Sequence, residues 1–181
     1  FAIHDPCSSL YEREWQDAIR SQLARIGVEG IELELSRNKT ECCGYGGVAW
    51  LANPEMVHRI IQRRIHENEI DYLTYCVMCR DLFTREGKPT LHILDLLYGE
   101  DPERLAKRRS PDYSQRHENR YRVKQQMLKM MSRKDFEMSE SHLKIKLAIS
   151  DEVKKLMEDR LILVEDVQKA IEYILESGEC F

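Results

Sequence analysis

No stretch of this 181-residue chain is apolar for long enough to cross a bilayer, which takes about 20 such residues in a row. Nothing in it resembles a secretory signal peptide either. Glycine and proline are scarce, at 8 and 5 residues, which excludes a collagen-like or low-complexity chain. The formal net charge is only -4, too small to drive the chain as a whole toward nucleic acid or anionic lipid. Also missing are a P-loop, an H-E-x-x-H helix, a G-x-S-x-G turn and a dinucleotide fingerprint. What remains is a hydrophobic fraction of 42% and a charged fraction of 33%, the composition of a helix-rich globular protein expected in the cytoplasm. Its length suits one domain with a proper core plus an appendage.

The chain opens without Met, on Phe1-Ala2-Ile3-His4-Asp5-Pro6, and closes abruptly at Cys180-Phe181. It therefore reads as a piece of a longer polypeptide. Positive charge gathers locally in Lys107-Arg108-Arg109 and from Arg116 to Lys134. Aromatics are sparse there, so a solvated helix or a docking face for a redox partner explains the stretch better than nucleic acid does.

Phe1 to His4 is a short apolar run stopped by a proline that forces extended geometry before it, hence a strand. Ser8 or Ser9 is placed to cap a helix to about Ile26, with Leu10, Trp15, Ala18, Ile19, Leu23 and Ile26 as its apolar stripe. Val28 to Leu35 alternates as a strand. A helix follows from Pro54 to Asn68, with Met56, Val57, Ile60, Ile61 and Ile65 inward and Arg59, Arg63 and Arg64 facing water. Ile70 to Tyr75 is a third strand, Val77 to Glu86 a helix, and Thr90 to Ile93 a fourth strand with a helical turn after it.

This order predicts an α/β fold: a small parallel four-stranded sheet with flanking helices. Residues 1–99 form that domain. Residues 100–118 are polar and basic, a linker, and 119–181 form a mainly helical α+β C-terminal module. The module comprises a helix over Asn119 to Arg133, a strand carrying Leu143, Ile145, Leu147 and Ile149, and helices from Ser150 to about Arg160 and from Val164 to Glu176.

Six cysteines in a chain without secretory features point to metal or catalysis rather than a disulfide scaffold. Cys42 and Cys43 are adjacent and cannot readily bridge each other without strain. The run Cys42-Cys43-Gly44-Tyr45-Gly46-Gly47 then supplies three glycines in four positions, so the backbone can turn tightly around whatever the sulfurs hold. Cys76-Val77-Met78-Cys79 is a C-x-x-C, Cys7 follows the first strand, and Cys180 stands apart without a role. In a parallel sheet, ligands bind beyond the carboxyl ends of the strands, and five cysteines fall there. Thiolates suit an iron–sulfur cluster or zinc. A metal-free thiol–disulfide exchanger using Cys76 and Cys79 is a further reading, though it leaves the adjacent pair without a purpose. Around these cysteines, His4 reads as an ordinary strand-end histidine or a donor to a sulfur, Asp5 and Pro6 as residues that shape the loop, and His92 as a core histidine. Arg80 reads as solvated or as an offset to thiolate charge, and Tyr45 as a neighbour that limits solvent.

Four segments together carry a family resemblance: His4-Asp5-Pro6-Cys7, Cys42-Cys43-Gly44-Tyr45-Gly46-Gly47, Tyr75-Cys76-Val77-Met78-Cys79-Arg80-Asp81 and His92-Ile93-Leu94-Asp95-Leu96-Leu97. Over about residues 1 to 98 the chain resembles the cysteine-rich CCG domain found in the disulfide-reducing subunit of heterodisulfide reductase and in iron–sulfur subunits of anaerobic glycerol-3-phosphate, glycolate and lactate oxidation. The resemblance implies that Cys7, Cys42, Cys43, Cys76 and Cys79 hold an iron–sulfur cluster, which in heterodisulfide reductase is of the noncubane 4Fe-4S type. Five thiolates exceed the four of an ordinary cubane and of a zinc tetrahedron. It implies an oxidoreductase subunit that exchanges electrons with a disulfide or with a partner dehydrogenase, through a flavoprotein or ferredoxin-type partner. The alternative is a zinc-binding or metal-free assembly module. Family members commonly carry the motif twice, whereas this chain has it once.

Overall fold

The computed structural model describes residues 1–99, 101–131 and 141–178. They fall into two compact units, Phe1–Ser110 and Pro111–Phe181. Among the described residues no helix is long and apolar enough to cross a membrane.

The first unit is built on four short parallel strands: β1 (Ala2–His4), β2 (Ile31–Glu32), β3 (Tyr72–Thr74) and β4 (Thr90–His92), in the order β2-β1-β3-β4. The chain runs outward from β1 to β2 on one side and to β3 and β4 on the other. The strand order thus reverses between β1 and β3, the place where open α/β sheets leave a crevice at their carboxyl edge. Helices α1 (Arg13–Arg25), α2 (Ala49–Ala52), α3 (Pro54–Ile65), α4 (Val77–Arg85), α5 (Ile93–Tyr98) and α6 (Pro102–Ala106) complete the unit. The last of these lies inside the stretch read as a linker, and Ala106 is fully buried.

Successive residues of a strand face opposite sides, so each strand contributes to two cores. Ile3, Leu73 and Leu91 pack with Leu23, Ile93 and Ala106 on one face. Ala2 and Tyr72 pack on the other with Leu33, Cys43, Val57, Ile61, Ile65, Cys79, Leu82 and Phe83. All residues of β1 and β3 are buried, as a strand covered on both faces requires.

Three sequence expectations change here. The first helix starts at Arg13, because Ser9 is used otherwise: its hydroxyl donates to the Pro6 carbonyl at 2.9 Å and its own carbonyl accepts from Gln16 at 2.6 Å. The buried stripe of α1 consequently passes through Gln16 and Leu23, while Trp15 is 57% exposed and Ile26 43%. The second strand shrinks to Ile31–Glu32, an edge strand with β1 as its one neighbour in the sheet. Arg64, expected in water, is wholly buried, since it shares a helix face with Val57 and Ile61 at spacings of seven and three.

The second unit holds α7 (Tyr113–Met131), α8 (Asp151–Asp159) and α9 (Val164–Ser177). Ser150 caps α8 by accepting from the Val153 amide, and α9 ends at Gly178. No strand occurs among its described residues: 141–144 form a 3-10 turn and 145–150 are irregular. The alternation at Leu143, Ile145, Leu147 and Ile149 finds no strand to pair with among the described residues of this unit, and a lone strand leaves its backbone groups unpaired. Arg133 and Cys180 lie outside the described residues.

Candidate metal centre

Three loops bring the cysteines to the carboxyl edge of the sheet, and one carboxylate ties the three together. Asp5 is fully buried. Its Oδ1 accepts from Arg20 Nη1 and from the Tyr75 hydroxyl, both at 2.8 Å, and its Oδ2 accepts from Arg20 Nη2 at 2.9 Å and the Arg37 amide at 2.8 Å. The Asp5 carbonyl accepts from Thr40 Oγ1 at 2.6 Å. Asp5 therefore stands two residues before Cys7, holds a residue two before Cys42, and holds the residue just before Cys76. Burial is the largest single influence on its carboxyl and pushes the pKa up, but the bonds from Arg20, Arg37 and Tyr75 together hold it below the usual 3.8. Burial likewise pushes the Tyr75 phenol up.

The five cysteines of these loops are all free thiols. Cys43 and Cys79 are buried, Cys42 and Cys76 half-buried, and Cys7 exposed. Four of the sulfurs form a hydrogen-bonded chain, in which Cys42 donates to Cys43 and Cys79 donates to both Cys43 and Cys76. Donation by Cys42 and Cys79 lowers the Cys43 pKa to about 3. Cys76 is lowered to about 6 by its bond from Cys79 and by the backbone amides of Cys79 and Met78. It sits at the N-cap of α4, where unpaired amides and the helix dipole favour an anion. The donors Cys42 and Cys79 are pushed up in turn, chiefly by the hydrogen bond each gives to Cys43. Cys7 stands outside this chain, yet close enough for its charge to raise Cys42 further.

Among the described residues no three His, Cys, Asp or Glu side chains converge on a point where one metal ion would sit. The sulfurs meet one another instead. Four thiols and thiolates linked one to the next, with a fifth beside them, still fit a soft-metal or iron–sulfur centre by donor chemistry. Two of them are ready as thiolates, the form that binds metal.

Gly44 and Gly47 take the positive φ that glycine permits. Gly44 has φ +97°, and its amide donates to Cys42 Sγ at 3.3 Å. A Cβ there would lie 3.4–3.5 Å from Val57, Ile60 and Ile61 of α3, so the turn lies directly on that helix. Tyr45 stacks on Trp50, with ring centroids 6.0 Å apart and planes 11° apart, and so covers part of the loop rather than reaching freely into solvent.

His4 and Arg64 do not stand out in the sequence as a pair. Arg64 Nε donates to His4 Nδ1 at 3.1 Å, and the same guanidinium donates to the Leu35 carbonyl at 2.8 Å and to Glu67. His4 is completely buried, edge-on to Phe83 at 4.8 Å. Burial, reinforced by Arg64, lowers its pKa to about 3. Arg80 is neither solvated nor turned to the sulfurs. It is 1% exposed and donates to Asp81 at 2.9 Å, to the Leu105 carbonyl at 3.2 Å and to the Arg108 carbonyl, fastening the end of α6. His92 is half-buried and caps α5 by accepting from the Leu94 amide at 3.2 Å.

No curated protein and no solved structure matches the chain. A family model does. Residues 1–81, which contain Cys7, Cys42, Cys43, Cys76 and Cys79, match the model of the CCG cysteine-rich domain.

Proposed function

We propose that the chain is the iron–sulfur domain of a cytoplasmic, heterodisulfide-reductase-like oxidoreductase, with Cys7, Cys42, Cys43, Cys76 and Cys79 as ligands of a noncubane 4Fe-4S-type cluster. Residues 1–99 are the cluster domain in this reading, and 119–181 a separate helical module. The observation that carries it is the Asp5 tie, which holds all three cysteine-bearing loops by side-chain and backbone hydrogen bonds. These bonds stabilise the fold, and they also hold the three sulfur-bearing loops in one register, the arrangement that sulfurs acting together require.

When bound, such a cluster supplies one-electron chemistry and thiophilic iron. The chain's own residues set the rest. Cys43 and Cys76 offer thiolates at neutral pH, so a metal displaces few protons there. The Cys43 side is sealed by α3 and by the Tyr45–Trp50 stack, while exposed Cys7 leaves an open side where a disulfide or a partner can approach. Reducing a disulfide to two thiols takes two electrons and two protons; a flavoprotein or ferredoxin-type partner supplies the electrons and solvent at the open side the protons.

Anaerobic reconstitution with iron and sulfide tests this. The expected product shows sulfur-to-iron charge-transfer absorption and about four irons per chain, and loses both when Cys42 and Cys43 are changed to Ser. Stoichiometric zinc without iron in anaerobically purified protein would instead favour a zinc-binding assembly module. A metal-free exchanger draws some support from Cys76, whose lowered pKa and helix N-cap position are those of an attacking thiol. Thiol–disulfide exchange that survives complete metal removal would establish it in place of the cluster.

A further inference from the structure

His4 closes β1 on the sheet face that carries Ala2 and Tyr72, the side on which Cys43 and Cys79 are buried. A guanidinium stays protonated in proteins, so the 3.1 Å bond between Arg64 Nε and His4 Nδ1 can run in one direction alone. Neutral His4 must then carry its proton on Nε2. That Nε2 is buried and has no hydrogen-bond partner among the described residues. An unpaired buried N–H is costly, and here a second buried polar group, Arg64, is spent on fixing its tautomer.

Two groups packed near His4 could accept from it, the Cys43 sulfur and the Asp5 carboxylate. Asp5 is taken: each of its oxygens already accepts two hydrogen bonds, from Arg20 and Tyr75 on one and from Arg20 and Arg37 on the other. Cys43 remains. Its sulfur shares a packed cluster with Phe83, against whose ring His4 lies edge-on.

We infer that His4, locked as the Nε2–H tautomer by Arg64, donates an N–H···S hydrogen bond to the Cys43 sulfur when the cysteines hold their cluster, and so sets the reduction potential of the centre. The inference rests on the cluster reading above. His4 is a positioning and tuning residue in it, not a ligand, and Arg64 acts through His4. A donor to sulfur stabilises the state with more negative charge, which is the reduced one. Removing it should make the cluster harder to reduce.

The test uses the full chain, reconstituted anaerobically with iron and sulfide. His4→Met removes the donor, and His4→Gln returns an N–H to the Nε2 position. The expected result is a reduction equilibrium about tenfold less favourable in His4→Met, equal to about 59 mV for a one-electron couple, with most of the loss recovered in His4→Gln. Independently, pulsed EPR on wild-type protein grown with 15N-histidine should reveal a weak nitrogen coupling in the paramagnetic state, and this readout stands even where a variant does not fold. An unchanged potential in His4→Met, or a labelled wild-type cluster without nitrogen coupling, overturns the role of His4 and leaves the cluster reading intact. Wild-type protein that takes up no iron overturns the cluster reading itself, and this inference with it.

Discussion

On one face of the sheet Ile3, Leu73 and Leu91 meet Leu23, Ile93 and Ala106. On the other, Ala2 and Tyr72 share their layer with His4, Thr74, Arg64 and the buried Cys43 and Cys79. The first face is an ordinary apolar core, each large side chain of which contributes about 2 kcal/mol by leaving water. The second takes on polar groups that a core of this size would be more stable without. A fold that keeps one side purely apolar and loads the other with a guanidinium, an imidazole and thiols separates stability from chemistry by sheet face. The two sides should therefore respond differently to damage.

The largest effect belongs to the apolar side. Leu73→Ala should cost about 4 kcal/mol, because Leu73 is completely buried in the central strand β3. Urea unfolding measures the loss, and iron bound per folded molecule should stay at the wild-type value. Iron loss out of proportion to unfolding would mean that the faces are not separate.

Arg64→Met attacks the mixed side. It leaves His4 Nδ1 and the Leu35 carbonyl without their donor and Glu67 without its cation, and should cost about 3 kcal/mol. Unlike Leu73→Ala it should also shift the reduction potential of the loaded protein, since His4 is then free to place its proton on either nitrogen. Equal potentials in the two variants would erase the distinction between the faces.

Acid probes the tie between the loops. Asp5 titrates below 3.8 when folded, so its contribution is fully present above that value and is lost as the pH falls through the lower, folded pKa. Asp5→Asn should cost about 2 kcal/mol at neutral pH. It should also flatten the acid limb of a stability profile recorded between about pH 5 and 2, an effect that neither face variant produces.

The division between faces also explains what is legible in the sequence. Alternating strands and helices and the five cysteine positions stand in the pattern directly, because burial on both faces makes β1 and β3 short, mostly apolar segments bounded by turn residues and because cysteine pairs have few other uses. Gln16, Arg20 and Arg64 do not stand out. Each lies on the inward stripe of its helix, at a spacing of three or seven from Leu23 or Val57, yet a reading that sorts by hydrophobicity sends polar residues to water. The same sorting draws Trp15 inward, whereas Gln16 takes that place in the fold to bond Ser9. A polar side chain in register with an apolar stripe is the available signal, and each of these holds part of a loop or residue beside the sulfurs. The run 143–149 misleads differently: alternation describes a strand only where a sheet edge exists to receive it.

The smallest effect compares two glycines. Gly30 lies against the apolar face, where a Cβ would come within 2.6 Å of the Ile3 side chain and 3.1 Å of Leu23. Gly44 lies against α3 on the mixed face with ordinary clearance, at 3.4–3.5 Å, but at φ +97°. Gly30→Ala is a packing fault that the ends of Ile3 and Leu23 can relieve by shifting. Gly44→Ala is a backbone fault that no side chain can relieve, with a cost of about 1 kcal/mol. Relief of that strain shifts the turn that now aims the Gly44 amide at Cys42 Sγ. Thermal melts should therefore rank the two variants close together. Iron retention under a chelator should separate them, with Gly44→Ala releasing its metal faster than wild type and Gly30→Ala at the wild-type rate.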